Sequence, residues 1–388
     1  MDFDLSEEHQ MIRDMTRQFA DEVIAPRAEQ MEESGEFPYD IFEKMAELGM
    51  VGIPFPEEYG GSGGDWVGMH LCIEEISRAD GNLGALLDVT TSVVGQEIFV
   101  FGTEEQKKEF LVPIARGEKV GAFGLTEPDS GSDAGSLRTS AVKDGDSWVL
   151  NGTKQFITGI GLENASVMLT AARSGMDGEG RPVISAFIVP KGTPGMSLGK
   201  KYRKLAGKAL PANEVILEDC RIPLENILGD PGRGFAQHLA VLETGRISIG
   251  AVCVGMARAC LEQALSYARE RTQFGKPIFH FQAVQFKLAD MSASIELARN
   301  QVIKAAWLKD RGRRHTFEAT VAKLYGSEML ERVASDAVQI HGGYGYMDEY
   351  PVSRMYKGAK LLQIVEGTSE VQRMILGRIL QDSGGKLW

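Results

Sequence analysis

A carboxylate, a group able to act as an acid or a base, stands at Glu366. It follows the apolar-rich run Leu361-Leu362-Gln363-Ile364-Val365 and precedes Gly367-Thr368-Ser369-Glu370. Thr368 or Ser369 can cap a following helix, so Glu366 lies just ahead of a helix start. Taken alone, that position reads as a cap-region carboxylate. A second chemical stretch is Gly124-Leu125-Thr126-Glu127-Pro128-Asp129-Ser130-Gly131-Ser132-Asp133-Ala134-Gly135-Ser136. Glycines and small hydroxyls allow close backbone approach and several N–H donors, a nest for pyrophosphate or the polar edge of a flavin. A third is Arg271, a planar cation at the end of a long helical pattern, suited to pyrophosphate; its bland alternative is a solvated helix terminus.

Other chemistries find no support. No G-x-G-x-x-G follows a strand and no P-loop is present. Gly60-Gly61-Ser62-Gly63-Gly64 fits the G-x-S-x-G spelling of a hydrolase, but Pro54 and Pro56 precede it where a strand is required, so it reads as a loop. His9, His70, His238, His280, His315 and His341 make no paired ligand spacing, so no metal site is expected. Asn151-Gly152-Thr153 and Asn164-Ala165-Ser166 have the spelling of glycosylation sequons and carry no weight without a secretion signal.

The elements that must position these residues come in blocks. Ser6 is a candidate N-cap, and Ile12, Met15, Phe19 and Val23 form one helical stripe that Pro26 is expected to break. Helical patterns also cover Tyr39 to Leu48, Met69 to Ala79 and Glu104 to Ala115. From Gly121 the segments become short and β-branched. Trp148-Val149-Leu150 runs into Asn151-Gly152, which predicts a hairpin turn, and Lys154 to Thr158, Ser166 to Arg173, Val183 to Val189 and Glu214 to Leu217 suit strands. After Pro231-Gly232 the chain reads helical from Phe235 to Thr272, Gln282 to Lys309, Phe317 to Ile340 and Thr368 to Leu380. Helices, strands, then helices argue for an α+β fold rather than a βαβ sheet, with an antiparallel bundle at the end.

Composition sets the outer bounds. The 388 residues are 43% hydrophobic and 25% charged, an ordinary globular mix, with length enough for two or three domains. Fifty-four acidic against 42 basic residues leave a net charge of -12, which disfavours nucleic acid as a partner. No run of about 18 consecutive apolar residues suggests a membrane span. The acidic start Met1 to Glu8 resembles no targeting stretch, and Cys72, Cys220, Cys253 and Cys260 form no CxxC, so a reduced, cytoplasmic setting is expected.

Five ordered motifs give the chain a resemblance to the acyl-CoA dehydrogenase family over its whole length. Gly124 to Ser136 resembles the first signature, and Lys154-Gln155-Phe156-Ile157-Thr158 the strand beside the flavin. Arg271-Thr272-Gln273-Phe274-Gly275-Lys276-Pro277-Ile278 with Phe281-Gln282 resembles the cofactor-binding helix junction. Gln339-Ile340-His341-Gly342-Gly343-Tyr344-Gly345-Tyr346 resembles the second signature, and Glu366-Gly367-Thr368-Ser369-Glu370 the segment carrying the base. The resemblance implies an N-terminal helical domain (1–120), a middle β domain (121–230) and a C-terminal four-helix bundle (231–388). It implies FAD, a homotetramer built as a dimer of dimers, and electron-transferring flavoprotein as acceptor.

Residue by residue, the resemblance implies that Phe123, Leu125, Thr126, Gly131, Ser132, Phe156, Ile157 and Thr158 line the flavin. Thr368 and Glu370 join them. Arg271, Phe274, Gln282, Gln339, Ile340, Gly342 and Gly343 reach the FAD of a neighbouring subunit. Ser132, Glu243, Arg246 and Gly367 contact the substrate. Glu366 takes the α-proton of an acyl-CoA while the β-hydrogen leaves as hydride to flavin N5. In some relatives the base precedes the arginine of a Leu-Asp-x-x-Arg motif; here Leu242-Glu243-Thr244-Gly245-Arg246 puts a glycine there, which leaves Glu366. The chain also departs from the family at Lys208-Ala209-Leu210-Pro211-Ala212, where hydroxyl residues are usual, and at Gly358. The expected activity is dehydrogenation of a short- to medium-chain or branched acyl-CoA to the trans-2-enoyl-CoA. The alternatives are an enoyl-CoA reductase, an acyl-CoA oxidase, or a flavin-bearing DNA-binding protein. The last would need a basic patch, which the charge balance does not favour.

Overall fold

The computed structural model describes residues 4–384; Met1 to Phe3, within the acidic start, lie outside them. The first helix, Glu7–Phe19, is capped by Ser6, whose hydroxyl accepts from the His9 N–H. It does not end at Pro26 as expected. A π-helical turn, Ala20–Ile24, and a 3-10 turn, Ala25–Arg27, carry the chain on into Ala28–Ser34. The wide turn realigns the ladder, so the N–H that proline lacks is not missed. Tyr39–Glu47 and Trp66–Ala79 follow, then one run made of Gly81–Leu87, a π-helical stretch Asp88–Gly95 and Gln96–Phe101. The Gly60 to Gly64 segment is a loop, and the Ser62 hydroxyl donates to the Gly49 carbonyl.

The middle domain is an eight-stranded sheet: β1 Val120–Gly124, β2 Ser140–Asp144, β3 Ser147–Thr158, β4 Ala165–Met176, β5 Pro182–Pro190, β6 Met196–Lys201, β7 Ala212–Pro223 and β8 Ile227–Leu228. Their order is β6-β7-β3-β2-β4-β5-β8, with β1 parallel to β4. The hairpin expected at Asn151-Gly152 is absent, because β3 runs straight through it. Gly152 has φ 155° and marks a bulge against β7, where an added Cβ would meet Thr139 Oγ1 at 2.4 Å. Asn151 exchanges hydrogen bonds with Asp219 on β7. The real turn is Gly145-Asp146, between Asp144 and Ser147.

The helices Gly234–Glu270, Gln282–Asp310 and Thr316–His341 form the third block, with Ser369–Asp382 and a further helix, Pro351–Leu362, against them. The two helical blocks do not build separate cores. Met69, Leu71 and Ile73 of the first share one cluster with Ile249, Val252, Met329 and Leu330 of the second. Two helical runs, Gly81–Phe101 and Gly234–Glu270, are long and apolar enough, by length and composition only, to cross a membrane. Both windows are mostly buried inside the fold, as core helices are.

Candidate active site

The first wall of the site grows from β1 and β3. The Gln155 N–H donates to the Thr126 carbonyl, tying the stretch after β1 beside Phe156, Ile157 and Thr158. Lys154 fixes the same stretch from below. Its buried ammonium bonds Glu127 Oε1 at 2.7 Å and the Ala171 carbonyl at 2.9 Å. Glu127 also accepts from the Arg138 and Thr139 N–H groups. These charge-assisted bonds draw Glu127 below the ordinary glutamate range, although burial alone would raise it. Burial brings the Lys154 ammonium down to about 8. Phe123 stacks edge-on against His238 of the long helix at 4.8 Å, and Leu125 packs with Val241 and Leu242. Ser132 and Gly131 are exposed at the rim.

That helix leads from the wall to Glu366. Glu366 has φ 53°, an uncommon conformation for a glutamate, and Gly367 has φ 93°. Two side chains hold this backbone. Gln372 donates to the carbonyls of Glu366 and Gly367, each at 3.0 Å, and Lys323 donates to the Gly367 carbonyl at 2.7 Å. Thr368 caps the last helix through the Val371 N–H, and Glu370 sits exposed in its first turn. Among the described residues no acceptor takes the Glu366 N–H.

The carboxylate of Glu366 lies on Gly245. A Cβ there would be 2.3 Å from Glu366 Oε2. The glycine that cannot serve as a base thus makes room for the glutamate that can. Burial pushes the Glu366 carboxyl above its ordinary value, while a bond from Asp88 and the charges of Arg246 and Lys323 pull it back. Arg246 is buried, faced by Glu366 and Glu243, and its Nε has no partner. Glu243 is within 3.9 Å of His315.

A second group sits at the far end of the long helix. Arg271, Ile340, Gly342 and Gly343 line one cavity of about 460 Å³, together with Tyr267 and Tyr344. Beside it, Thr272–Gln273 and Lys276–Pro277 form a two-residue hairpin around Phe274 and Gly275, with φ 51° and 77°. Phe274 is 92% exposed and Gln282 is exposed at the first position of its helix, as is Gln339 near the end of its own. The 26 residues from Gly245 to Arg271 span roughly 40 Å of helix, so one cofactor in one subunit cannot touch both groups.

Three of the four described non-glycine residues with positive φ, Phe156, Phe274 and Glu366, are residues the sequence singled out. Backbone strain of this kind gathers at functional sites. The residues present fit FAD. Phe156 is 55% exposed beside Thr158, and a Cβ on Gly131, Gly342 or Gly343 would meet no atom within 4 Å. The guanidinium of Arg271 adjoins that open glycine backbone.

Comparison with known proteins decides the family. The acyl-CoA dehydrogenase N-terminal, middle and C-terminal domains match residues 6–118, 122–220 and 232–381. The chain belongs to the acyl-CoA dehydrogenase family. It is an FAD-dependent oxidoreductase acting on an acyl-CoA. It is 50% identical to the probable acyl-CoA dehydrogenase YngJ of Bacillus subtilis over 98% of this chain and 100% of that one. It is 43% identical to the caffeyl-CoA reductase-Etf complex subunit CarC of Acetobacterium woodii, over 97% of this chain and 98% of that one. The solved butyryl-CoA dehydrogenase of Megasphaera elsdenii superposes with a TM-score of 0.95 at 41% identity, covering 98% and 100% of the two chains.

Motif reading missed the residues that hold the site. Lys154 and Glu127 lie inside quoted motifs, but only the fold pairs them. Gln372 is near Glu366 in sequence but lies outside the quoted motif, Lys323 is remote from it, and Asp88 carried no motif at all. The loop at Lys208, which lacks the usual hydroxyls, is anchored instead by Glu32, which accepts from the Gly207 and Lys208 N–H groups at 2.9 and 3.0 Å.

Proposed function

We propose that this enzyme dehydrogenates a short, uncharged acyl-CoA to the trans-2-enoyl-CoA, with Glu366 as the α-proton base. The observation that carries the reading is the Glu366 carboxylate lying on Gly245, with its backbone clamped by Gln372 and Lys323. Butyryl-CoA is the substrate named for the Megasphaera relative, which supports a short acyl group.

In this reading Glu366 removes the α-proton, and Arg246 and Lys323 keep its carboxylate ionised in a desolvated pocket. The free N–H of Glu366 is placed to donate to the thioester carbonyl as negative charge develops there. Phe123, Leu125, Thr126, Phe156, Ile157 and Thr158 form the wall for the isoalloxazine. Bound FAD supplies the hydride acceptor. Ser132, Glu243, Arg246 and Gly367 would contact the substrate, and Gly131, Ser132, Thr368 and Glu370 the flavin.

Arg271, Phe274, Gln282, Gln339, Ile340, Gly342 and Gly343 would serve the cofactor of a second copy, within a dimer of dimers. Their distance from Glu366 along the helix and the exposure of Phe274 support this. The name of the CarC relative supports an electron-transferring flavoprotein as acceptor. The four free, buried cysteines suit a cytoplasmic enzyme of fatty-acid β-oxidation.

Glu366→Gln tests the base. The variant should keep yellow FAD and bind butyryl-CoA, yet bleach anaerobically about 10²–10⁴-fold more slowly. Bleaching at the wild-type rate would reassign the base.

A further inference from the structure

Asp88 is a buried acid that motif comparison gives no role. It opens the π-helical stretch Asp88–Gly95, is 1% exposed, and reaches the carboxyl group of Glu366. Wide turns of this kind interrupt helices mostly at functional positions. Two buried oxygens there have no hydrogen-bond donor, Asp88 Oδ1 and Glu366 Oε2. Two ionised carboxylates in contact, without donors and away from water, are not a stable arrangement. We propose that Asp88 is a protonated carboxylic acid at neutral pH and donates its hydrogen bond to the Glu366 carboxylate, making it a positioning residue for the base. This rests on Glu366 being the base.

One hydroxyl, Ser248, bonds Asp88 and lowers it against the larger effects of burial and Glu366. Its single hydrogen has competing acceptors, the first set by the tautomer of His70. His70 Nδ1 is 2.5 Å from the Trp66 carbonyl, so Nδ1 carries the hydrogen. Nε2 then presents a lone pair 3.0 Å from Ser248 Oγ, which donates to it. Burial lowers His70 to about 4, so the ring stays neutral and this tautomer holds. The same hydroxyl also faces Ser92 Oγ at 2.8 Å and the Thr244 carbonyl at 3.3 Å, both as acceptors. Asp88 is thus one of four acceptors facing the one Ser248 hydrogen. The hydrogen between Asp88 and Glu366 must belong to one of the two carboxyls.

The other charges around the pair favour the proton on Asp88 rather than Glu366. Arg246 on the long helix and Lys323 on Thr316–His341 both act on Glu366. Glu243 faces Arg246, and Glu370 and Cys253 face Lys323. Burial and the charge of Glu366 push Asp88 well above the ordinary aspartate range, with no cation acting on it. A donated bond from Asp88 holds the Glu366 carboxylate ionised and fixes its direction. Once Glu366 has taken the substrate proton, each carboxyl carries one hydrogen and the carboxyl pair is neutral.

The test compares holoenzyme variants by infrared difference spectroscopy and by the pH profile of anaerobic bleaching with butyryl-CoA. The wild type minus Asp88→Asn spectrum at pH 7 should contain a protonated carboxylic acid C=O band that shifts in D2O, and Glu366→Gln should keep it. Asp88→Asn retains an N–H donor and should bleach within a few-fold of wild type. Asp88→Leu removes the donor. It should bleach about ten- to a hundredfold more slowly, with the rising limb of the profile moved to higher pH. No band in the difference spectrum, a band lost in Glu366→Gln, or an unmoved limb in Asp88→Leu would each overturn the proposal. If instead Glu366 is not the base, Glu366→Gln bleaches normally while the band still follows Asp88.

Discussion

Gly245→Ala should disable the enzyme without unfolding it. The added methyl would sit 2.3 Å from Glu366 Oε2 and 2.7 Å from Cδ, where ordinary contacts begin near 3.4 Å. The carboxylate must therefore retreat by about 1 Å, and misplacing a reacting group by that much costs about a hundredfold in rate. Stability moves less, for two opposed reasons. Alanine in a helix interior gains about 1 kcal/mol over glycine. Overpacking costs about 1–3 kcal/mol, and the obstacle here is the movable end of a side chain rather than backbone. The melting temperature should stay near that of wild type, and FAD content should be unchanged, because the nearest atoms the methyl meets are those of Glu366. Stopped-flow bleaching by butyryl-CoA under anaerobic conditions reads the rate. A Gly245→Ala enzyme that bleaches within a few-fold of wild type, with full flavin, would refute the placement of the carboxylate on this glycine.

Two further outcomes follow from the site as assigned. Arg271→Ala should lose FAD increasingly on dilution, as copies dissociate; full flavin content at every concentration would count against a cofactor shared between subunits. Glutaryl-CoA should fail to bleach the flavin where butyryl-CoA, a branched short acyl-CoA or hexanoyl-CoA succeeds. The segment from Gly84 to Val100 holds no lysine or arginine, and its acids Asp88 and Glu97 are buried, Glu97 against His238 at 2.5 Å. A second carboxylate would enter without a partner, which is strongly unfavourable. Bleaching by glutaryl-CoA with release of carbon dioxide would overturn this.

The block order and the positions of the signature residues were legible in the sequence because they depend on local pattern. Long amphipathic stretches announced Gly234–Glu270, Gln282–Asp310 and Thr316–His341 to within two residues at either end. What failed depended on context. Asn151-Gly152 carries a turn signal, yet Asn151 pairs with Asp219 and Gly152 lets Thr139 pass closely, so the strand continues. Pro26 is a helix breaker only where its missing N–H would be needed, and the π turn before it removes that need. Glu366 was legible as a position but not as an environment. Its clamps come from Lys323 and Gln372, and its acid partner from Asp88, and no spacing rule links those four residues.

The placement of strain explains why so much of the site is scaffolding. Phe156, Phe274 and Glu366 each hold a backbone conformation that costs on the order of 1–3 kcal/mol, so each needs neighbours that leave no alternative. For Phe156 these are the β3 ladder and the buried Lys154–Glu127 pair, for Phe274 a two-residue hairpin, and for Glu366 the bonds to its own carbonyl and to that of Gly367. The Lys154–Glu127 pair and the Gln372 and Lys323 clamps are buried. The hairpin at Phe274 is not, because its ring is almost wholly exposed. Within the chain its ring meets only the edge-on ring of Phe281 among the described aromatic contacts. Most of its surface is left for something outside this chain, and it stands beside the Arg271 cavity, roughly 40 Å along the helix from the base. In the proposed dimer of dimers, the same helix that delivers Gly245 to the carboxylate would end in a surface for another copy's cofactor. On that argument, cofactor retention and assembly are one equilibrium, so dilution acts on the flavin before it acts on the fold.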